Sequence, residues 1–128
     1  MKNYTSWIVM GVLVVAILGG MIWYSTRPGQ YDTFAACIKD SGAKFYGAWW
    51  CPHCAEQKNL FGQSAKKLPY IECSNPDRTQ NALCNSEGIT NYPTWEFKGG
   101  TTTRTNALSL AELAARTSCP LIKDADIK

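Results

Sequence analysis

An uncharged apolar run from Trp7 to Tyr24, WIVMGVLVVAILGGMIWY, constrains this chain more than any other feature. As a helix it rises about 1.5 Å per residue, about 27 Å in all, close to the thickness of a bilayer core. Trp7 at one end and Trp23 with Tyr24 at the other match the aromatic belts of membrane interfaces. Gly11, Gly19 and Gly20 would weaken a soluble helix but are common in membrane ones. A cleaved signal peptide is the competing reading, with a shorter apolar core and a small-x-small site after it. The glycines here are followed by bulky residues in GGMIWYSTRPG, which favours a retained anchor. The expected layout is a flank at 1–6, an anchor at 7–24, a linker at 25–30, a folded domain at 31–120 and a tail at 121–128.

Roughly one hundred residues are left to fold, enough for one core and too few for two. The formal charge is only +3, with basic residues dispersed along the chain. There is no electrostatic footprint for nucleic acid. Six cysteines, at 37, 51, 54, 73, 84 and 119, are many for a cytosolic domain of this size. An even count points to an oxidising compartment, metal ligation being the other common use. Lys2 and Arg27 flank the apolar run and barely discriminate its orientation. The cysteines decide: the carboxyl-terminal domain is expected on the periplasmic or cell-surface side of the plasma membrane.

The periodicity predicts a helix over 31–42, with Asp32 capping its start and Gly42 ending it. KFYGAWW, 44–50, is apolar on both faces and reads as a buried central strand. A helix follows from Pro52 to about Leu68, with Glu56, Gln57 and Lys58 between its apolar residues and Gly62 as a kink or break. Pro52 suits a first helical position, where its missing N–H costs nothing. Next come a short strand at 70–73, a helix at 78–88, and a strand at 93–97 joined through Gly99-Gly100 to TTTRT. A last helix opens with Ser109 and Glu112 spaced as a capping box. That order is an α/β layer arrangement with a small mixed sheet flanked by helices.

Cys51-Pro52-His53-Cys54 thus sits where a central strand ends and a helix begins. The first turn of a helix has unpaired N–H groups and a positive dipole end, so a thiolate held there is stabilised. Cys51, ahead of the helix, is expected to be exposed and to act as the nucleophile or the attacked sulfur. Cys54 is expected to face inward as the resolving thiol. His53 can add positive charge or a hydrogen bond near the Cys51 sulfur, or be an exposed residue without influence. Zinc on Cys51, Cys54, Cys73 and Cys84 is the rival, although structural zinc sites usually bring a second closely spaced pair. A purely structural Cys51–Cys54 bridge would stabilise little, its loop being so small.

NYPTW, 91–95, carries a second signal. A proline at the head of an internal strand is unusual, and either a cis Tyr92–Pro93 bond or an ordinary trans proline on an edge strand accounts for it.

Together these residues resemble the thioredoxin fold family, and WCPHC resembles the disulfide-oxidising DsbA-like branch. The run GAKFYGAWWCPHCAEQKNLFG, with LPYIEC and GITNYPTW, is similar to the thioredoxin-like domain fused to or paired with bacterial vitamin K epoxide reductase (VKOR) homologues. The resemblance covers about Phe34 to Leu113. It implies a redox-active Cys51–Cys54 pair needing no other cofactor and no metal. It also implies a cis-proline loop of Tyr92 and Pro93, with Trp50 and Thr94, that binds extended client backbone. Cys73 and Cys84 fall where that family carries a structural disulfide, worth roughly 3 kcal/mol for so short a loop. Cys37 and Cys119 would be either a second bridge or buried free thiols. Many thioredoxins place a buried acid where this chain has Phe45, so another group or water must handle the proton. The partners implied are cysteine-containing extracytoplasmic clients and a separate VKOR-like membrane protein. A reductant or isomerase, or a non-catalytic binding or zinc module, are the other functions the residues allow.

Overall fold

A computed structural model describes residues 2–104 and 106–127. Met1 of the flank, Thr105 at the end of TTTRT and Lys128 of the tail lie outside the described residues. The apolar run lies in α1, Lys2–Thr26, which extends beyond 7–24 at both ends because polar residues there continue the same helical hydrogen bonding. Its side chains from Asn3 to Thr26 are exposed, and it is long and apolar enough to cross a membrane. Thr26 is helical, so the linker is shorter than expected, and it is not free of the domain. Lys66 Nζ donates to the carbonyls of Ser25 and Arg27 at 3.2 and 3.4 Å. A side chain on Gly29 would overlap Ser64 Oγ, so only glycine lets the linker pass this close.

The domain is a thioredoxin-like α/β fold. Among the described residues the sheet has four strands, β1 (Lys44–Gly47), β2 (Tyr70–Glu72), β3 (Thr94–Phe97) and β4 (Thr101–Arg104), in the order β2-β1-β3-β4. β1 pairs parallel with β2 and antiparallel with β3, in the register Phe45↔Tyr70 and Phe45↔Trp95. Around the sheet lie α2 (Asp32–Asp40), α3 (Pro52–Asn59), α4 (Ala82–Ser86) and α5 (Leu110–Thr117). The core is aromatic: Phe45 stacks on Trp95 with centroids 4.7 Å apart, and Phe34 on Phe61 at 5.7 Å. Burying rings of this size is the main apolar contribution to stability in so small a domain.

Several boundaries differ from the sequence reading, each for a local reason. β1 ends at Gly47, and Trp49 and Trp50 are substantially exposed instead of lying in a buried strand. The helix from Pro52 ends at Asn59, short of Leu68, and a 3-10 turn follows over Gly62–Lys67, opened by Gly62, whose φ of +54° a glycine adopts at little cost. Only Ala82–Ser86 of the 78–88 segment is helical. Arg78 has φ +68°, the Asp77 carboxylate takes the Thr79 amide, and Asn81 caps α4 by accepting from the Cys84 amide. Asp32 does not cap α2. The Asp124 carboxylate, from the tail, accepts from the amides of Asp32 and Thr33 at 2.7 and 3.2 Å. The Ser109–Glu112 capping box forms in both directions.

Two disulfides close the fold. Cys73 is bonded to Cys84, both fully buried, and Cys37 on α2 is bonded to Cys119 just after α5.

Candidate functional site

Cys51 is the N-cap of α3, with extended backbone (φ −79°, ψ 119°), and Pro52 follows as the first helical residue. The Cys51 Sγ accepts from the Cys54 amide at 3.3 Å. A sulfur thus occupies the place that a serine or aspartate oxygen fills at other helix starts, where free N–H groups favour negative charge. This corrects the expectation of an exposed Cys51. The sulfur folds back over the first turn, and the residue is only 5% exposed.

Cys54 lies behind it, buried as expected, and the two are free thiols. Burial pushes the Cys54 thiol up to about 12 from an ordinary 9.0, and the hydrogen bond with Cys51 adds to this. The Ala48 backbone and the Lys58 charge oppose that shift. The two sulfurs are therefore unlike: one caps a helix, and the other is held protonated in the core. Such asymmetry suits a pair in which one thiol attacks first and the second resolves.

His53 is on the outer face. Its Nδ1 lies 3.4 Å from Glu56 Oε2, so among the described residues its side-chain partner is Glu56 and not the Cys51 sulfur. Trp50 lies edge-on to Tyr92 at 6.0 Å and is anchored by donation from its Nε1 to Ser74 Oγ at 2.8 Å. The Tyr92–Pro93 peptide bond is cis. Pro93 is buried, and the Tyr92 hydroxyl donates to Gln80 Oε1. The Tyr92 hydroxyl is pushed up by burial, then by Glu72 and by Cys54 and Cys51. Thr94 points inward, its hydroxyl donating to the Asn91 carbonyl at 2.7 Å, so its side chain is not presented to a client. Bonding Cys73 to Cys84 removes both sulfurs from the four-thiolate zinc set considered above.

Three residues matter at the site that sequence reading missed. Gln57, placed among the polar residues of the helix, is fully buried. Its Oε1 accepts from Trp95 Nε1 and from the Leu108 amide, and its Nε2 donates to the Leu108 carbonyl. Tyr70 and Glu72 project from the same face of β2, and the Tyr70 hydroxyl donates to Glu72 Oε2 at 2.7 Å. Their spacing of two in YIEC was a legible signal, since alternate strand residues share a face. Glu72 Oε1 also accepts from the Trp49 and Ser74 amides, which fixes the turn that leads into Cys51.

No family model matches the chain. It is similar to the thiol-disulfide oxidoreductase LTO1 of Arabidopsis thaliana, 41% identical over 90 residues, which are 66% of this chain and 23% of that protein. The chain thus spans less than a quarter of the length of the curated relative it matches. This identity supports a thioredoxin-like redox domain.

Proposed function

We propose that the chain is a membrane-anchored, extracytoplasmic thiol–disulfide oxidoreductase that forms disulfides in client proteins. The observation that carries this reading is the placement of the Cys51 sulfur on the first turn of α3 with the buried Cys54 thiol behind it. The similarity to a thiol-disulfide oxidoreductase supports it. Four further cysteines held in disulfides fit an oxidising compartment, and α1 would hold the domain at its membrane with that side outward.

In the oxidising direction a client thiolate attacks Cys51 of the Cys51–Cys54 disulfide and releases Cys54. A second client thiol then attacks the mixed disulfide at the client sulfur. The client leaves oxidised, and Cys51 and Cys54 remain as thiols. Trp50, Tyr92 and Pro93 form the wall against which the client backbone lies. A VKOR-like membrane protein takes the two electrons from the dithiol and passes them to a quinone.

Trapping in cells with Cys54→Ala tests the reading. Resolution by Cys54 is then blocked, and mixed disulfides through Cys51 should accumulate with clients and with the re-oxidising partner. Absence of any Cys51-linked adduct would count decisively against catalysis. Direction is tested by the potential of the pair. A value near that of DsbA, about −120 mV, supports oxidation, whereas one near thioredoxin, about −270 mV, makes the protein a reductant.

A further inference from the structure

The resolving step needs the Cys54 proton to leave, and the residue that takes this role in many thioredoxins is Phe45 here, stacked on Trp95 in the core. A different group lies beside the sulfur. A methyl group on Gly47 would sit 3.0 Å from Cys54 Sγ, 2.7 Å from Tyr70 Cε2 and 3.4 Å from Tyr70 Oη. Thiol and phenol therefore both border the space over Gly47, the one residue of β1 that has no side chain. The phenol in turn donates to Glu72 Oε2 at 2.7 Å, and Glu72 is only partly buried.

We infer that Tyr70 and Glu72 form a proton relay that deprotonates Cys54 for the resolving step. The inference rests on the reading of Cys51 and Cys54 as a redox pair, but not on the direction of electron flow. In both directions one half-reaction leaves Cys51 in a mixed disulfide that Cys54 must attack. The Cys54 S–H bond breaks as its proton passes through a bridging water to the Tyr70 oxygen. The Tyr70 O–H proton passes to Glu72 Oε2, so the tyrosine ends neutral. Cys54 then attacks Cys51 Sγ, and the Cys51–Cys54 bond forms as the bond to the partner sulfur breaks. The partner leaves as a thiolate, reduced by the pair of electrons that the two cysteines have lost, and Glu72 returns its proton to water.

The electrostatics agree with a neutral, proton-passing tyrosine. The Tyr70 hydroxyl is pushed well above the usual phenol range by burial, then by its bond to Glu72, that carboxylate's charge, and the two cysteines. The charged and titratable groups around it are Cys54 and Lys58 from α3, Cys51 capping that helix, and Glu72 from β2. Lys58 Nζ lies 3.4 Å over the Tyr70 ring, and its charge favours the Cys54 thiolate once formed.

The test is stopped-flow reaction of the reduced full chain with 5,5′-dithiobis(2-nitrobenzoate). Attack by Cys51 releases one coloured thiolate, and attack by Cys54 on the resulting mixed disulfide releases a second. Tyr70→Phe removes the hydroxyl. Glu72→Gln keeps an oxygen for the Trp49 and Ser74 amides while removing the base. Both variants should slow the second release at pH 7 by about tenfold or more and extend its rise with pH to higher values, leaving the first release within about twofold. An unchanged second phase and pH profile in both variants would overturn the relay. So would equal slowing of both phases, which would mean a structural role. If the unsubstituted protein gives no second release, the redox-pair reading itself fails, and the relay falls with it.

Discussion

Gln57 is the polar side chain on which the seating of the redox helix most depends, and its replacement by leucine is a quantitative test. The side chain is fully buried and makes three hydrogen bonds, to Trp95 Nε1, the Leu108 amide and the Leu108 carbonyl, at 3.1, 2.8 and 3.0 Å. Gln57→Leu nearly conserves volume, so the cavity contribution is small. The indole N–H and both Leu108 backbone groups lose their partner inside the core. An orphaned buried group costs about 1–3 kcal/mol. The added apolar burial returns about 1–2 kcal/mol. A net loss of about 4 kcal/mol is expected, a large part of the 5–15 kcal/mol typical of a domain. Urea unfolding of the full chain in detergent, followed by far-UV circular dichroism with the disulfides intact, measures it. Trp95→Phe removes one of the same bonds, so the double variant should cost less than the two single losses added together, by about 1 kcal/mol or more. A Gln57→Leu protein within about 1 kcal/mol of the parent, or strict additivity with Trp95→Phe, would refute the reasoning.

Other expected outcomes follow from the same geometry. With Cys54 pushed up to about 12, iodoacetamide at pH 8 should label Cys51 and spare Cys54, as mass spectrometry of the digested protein can read; equal labelling would contradict the buried thiol. Because the folded value exceeds the unfolded one, this thiol's contribution to the reduced protein's stability is intact below pH 9 and is lost as pH rises toward 12. The oxidised form should lack that decline, and thermal melts of the two forms across this range make the comparison. Replacing Cys37 and Cys119 by serine, which opens a loop of 82 residues, should cost about 4.5 kcal/mol, against about 3 kcal/mol for the 11-residue loop of Cys73 and Cys84. Denaturant midpoints give the order directly. Asp124→Ala should lower the melting temperature by uncapping α2. The Asp124 carboxyl is held below the usual carboxylate range by its hydrogen bonds to Thr33, so its contribution should be present above pH 3.8 and fade as pH falls further.

The amino-acid order carried much of the architecture because the relevant signals are local. Pro52 after Cys51, Ser109 three residues before Glu112, and the glycines at 99 and 100 each act within one turn of chain, and each stands where its local chemistry requires. The apolar run from Trp7 is equally local, its meaning set by length and the absence of charge. Reading failed where a residue's fate depends on something distant. Trp49 and Trp50 looked like core because aromatics usually are. They stay outside because β1 ends at Gly47, where the Glu72 carboxylate, twenty-three residues beyond Trp49, takes the Trp49 amide. Asp32 looked like a cap, but Asp124, ninety-two residues on, holds that end of α2.

The site divides in the same way. Sequence alone determined that Cys51 would precede a helix and Cys54 would follow one turn later, since spacing along a helix is a property of the backbone. Tertiary structure decided everything that sets the two thiols apart. The β1–β2 register and the missing side chain of Gly47 let Tyr70, bonded in turn to Glu72, lie beside Cys54, and burial raises the Cys54 thiol. Burial and field depend on which strands are neighbours in space, and no window of sequence around Cys51 contains that information.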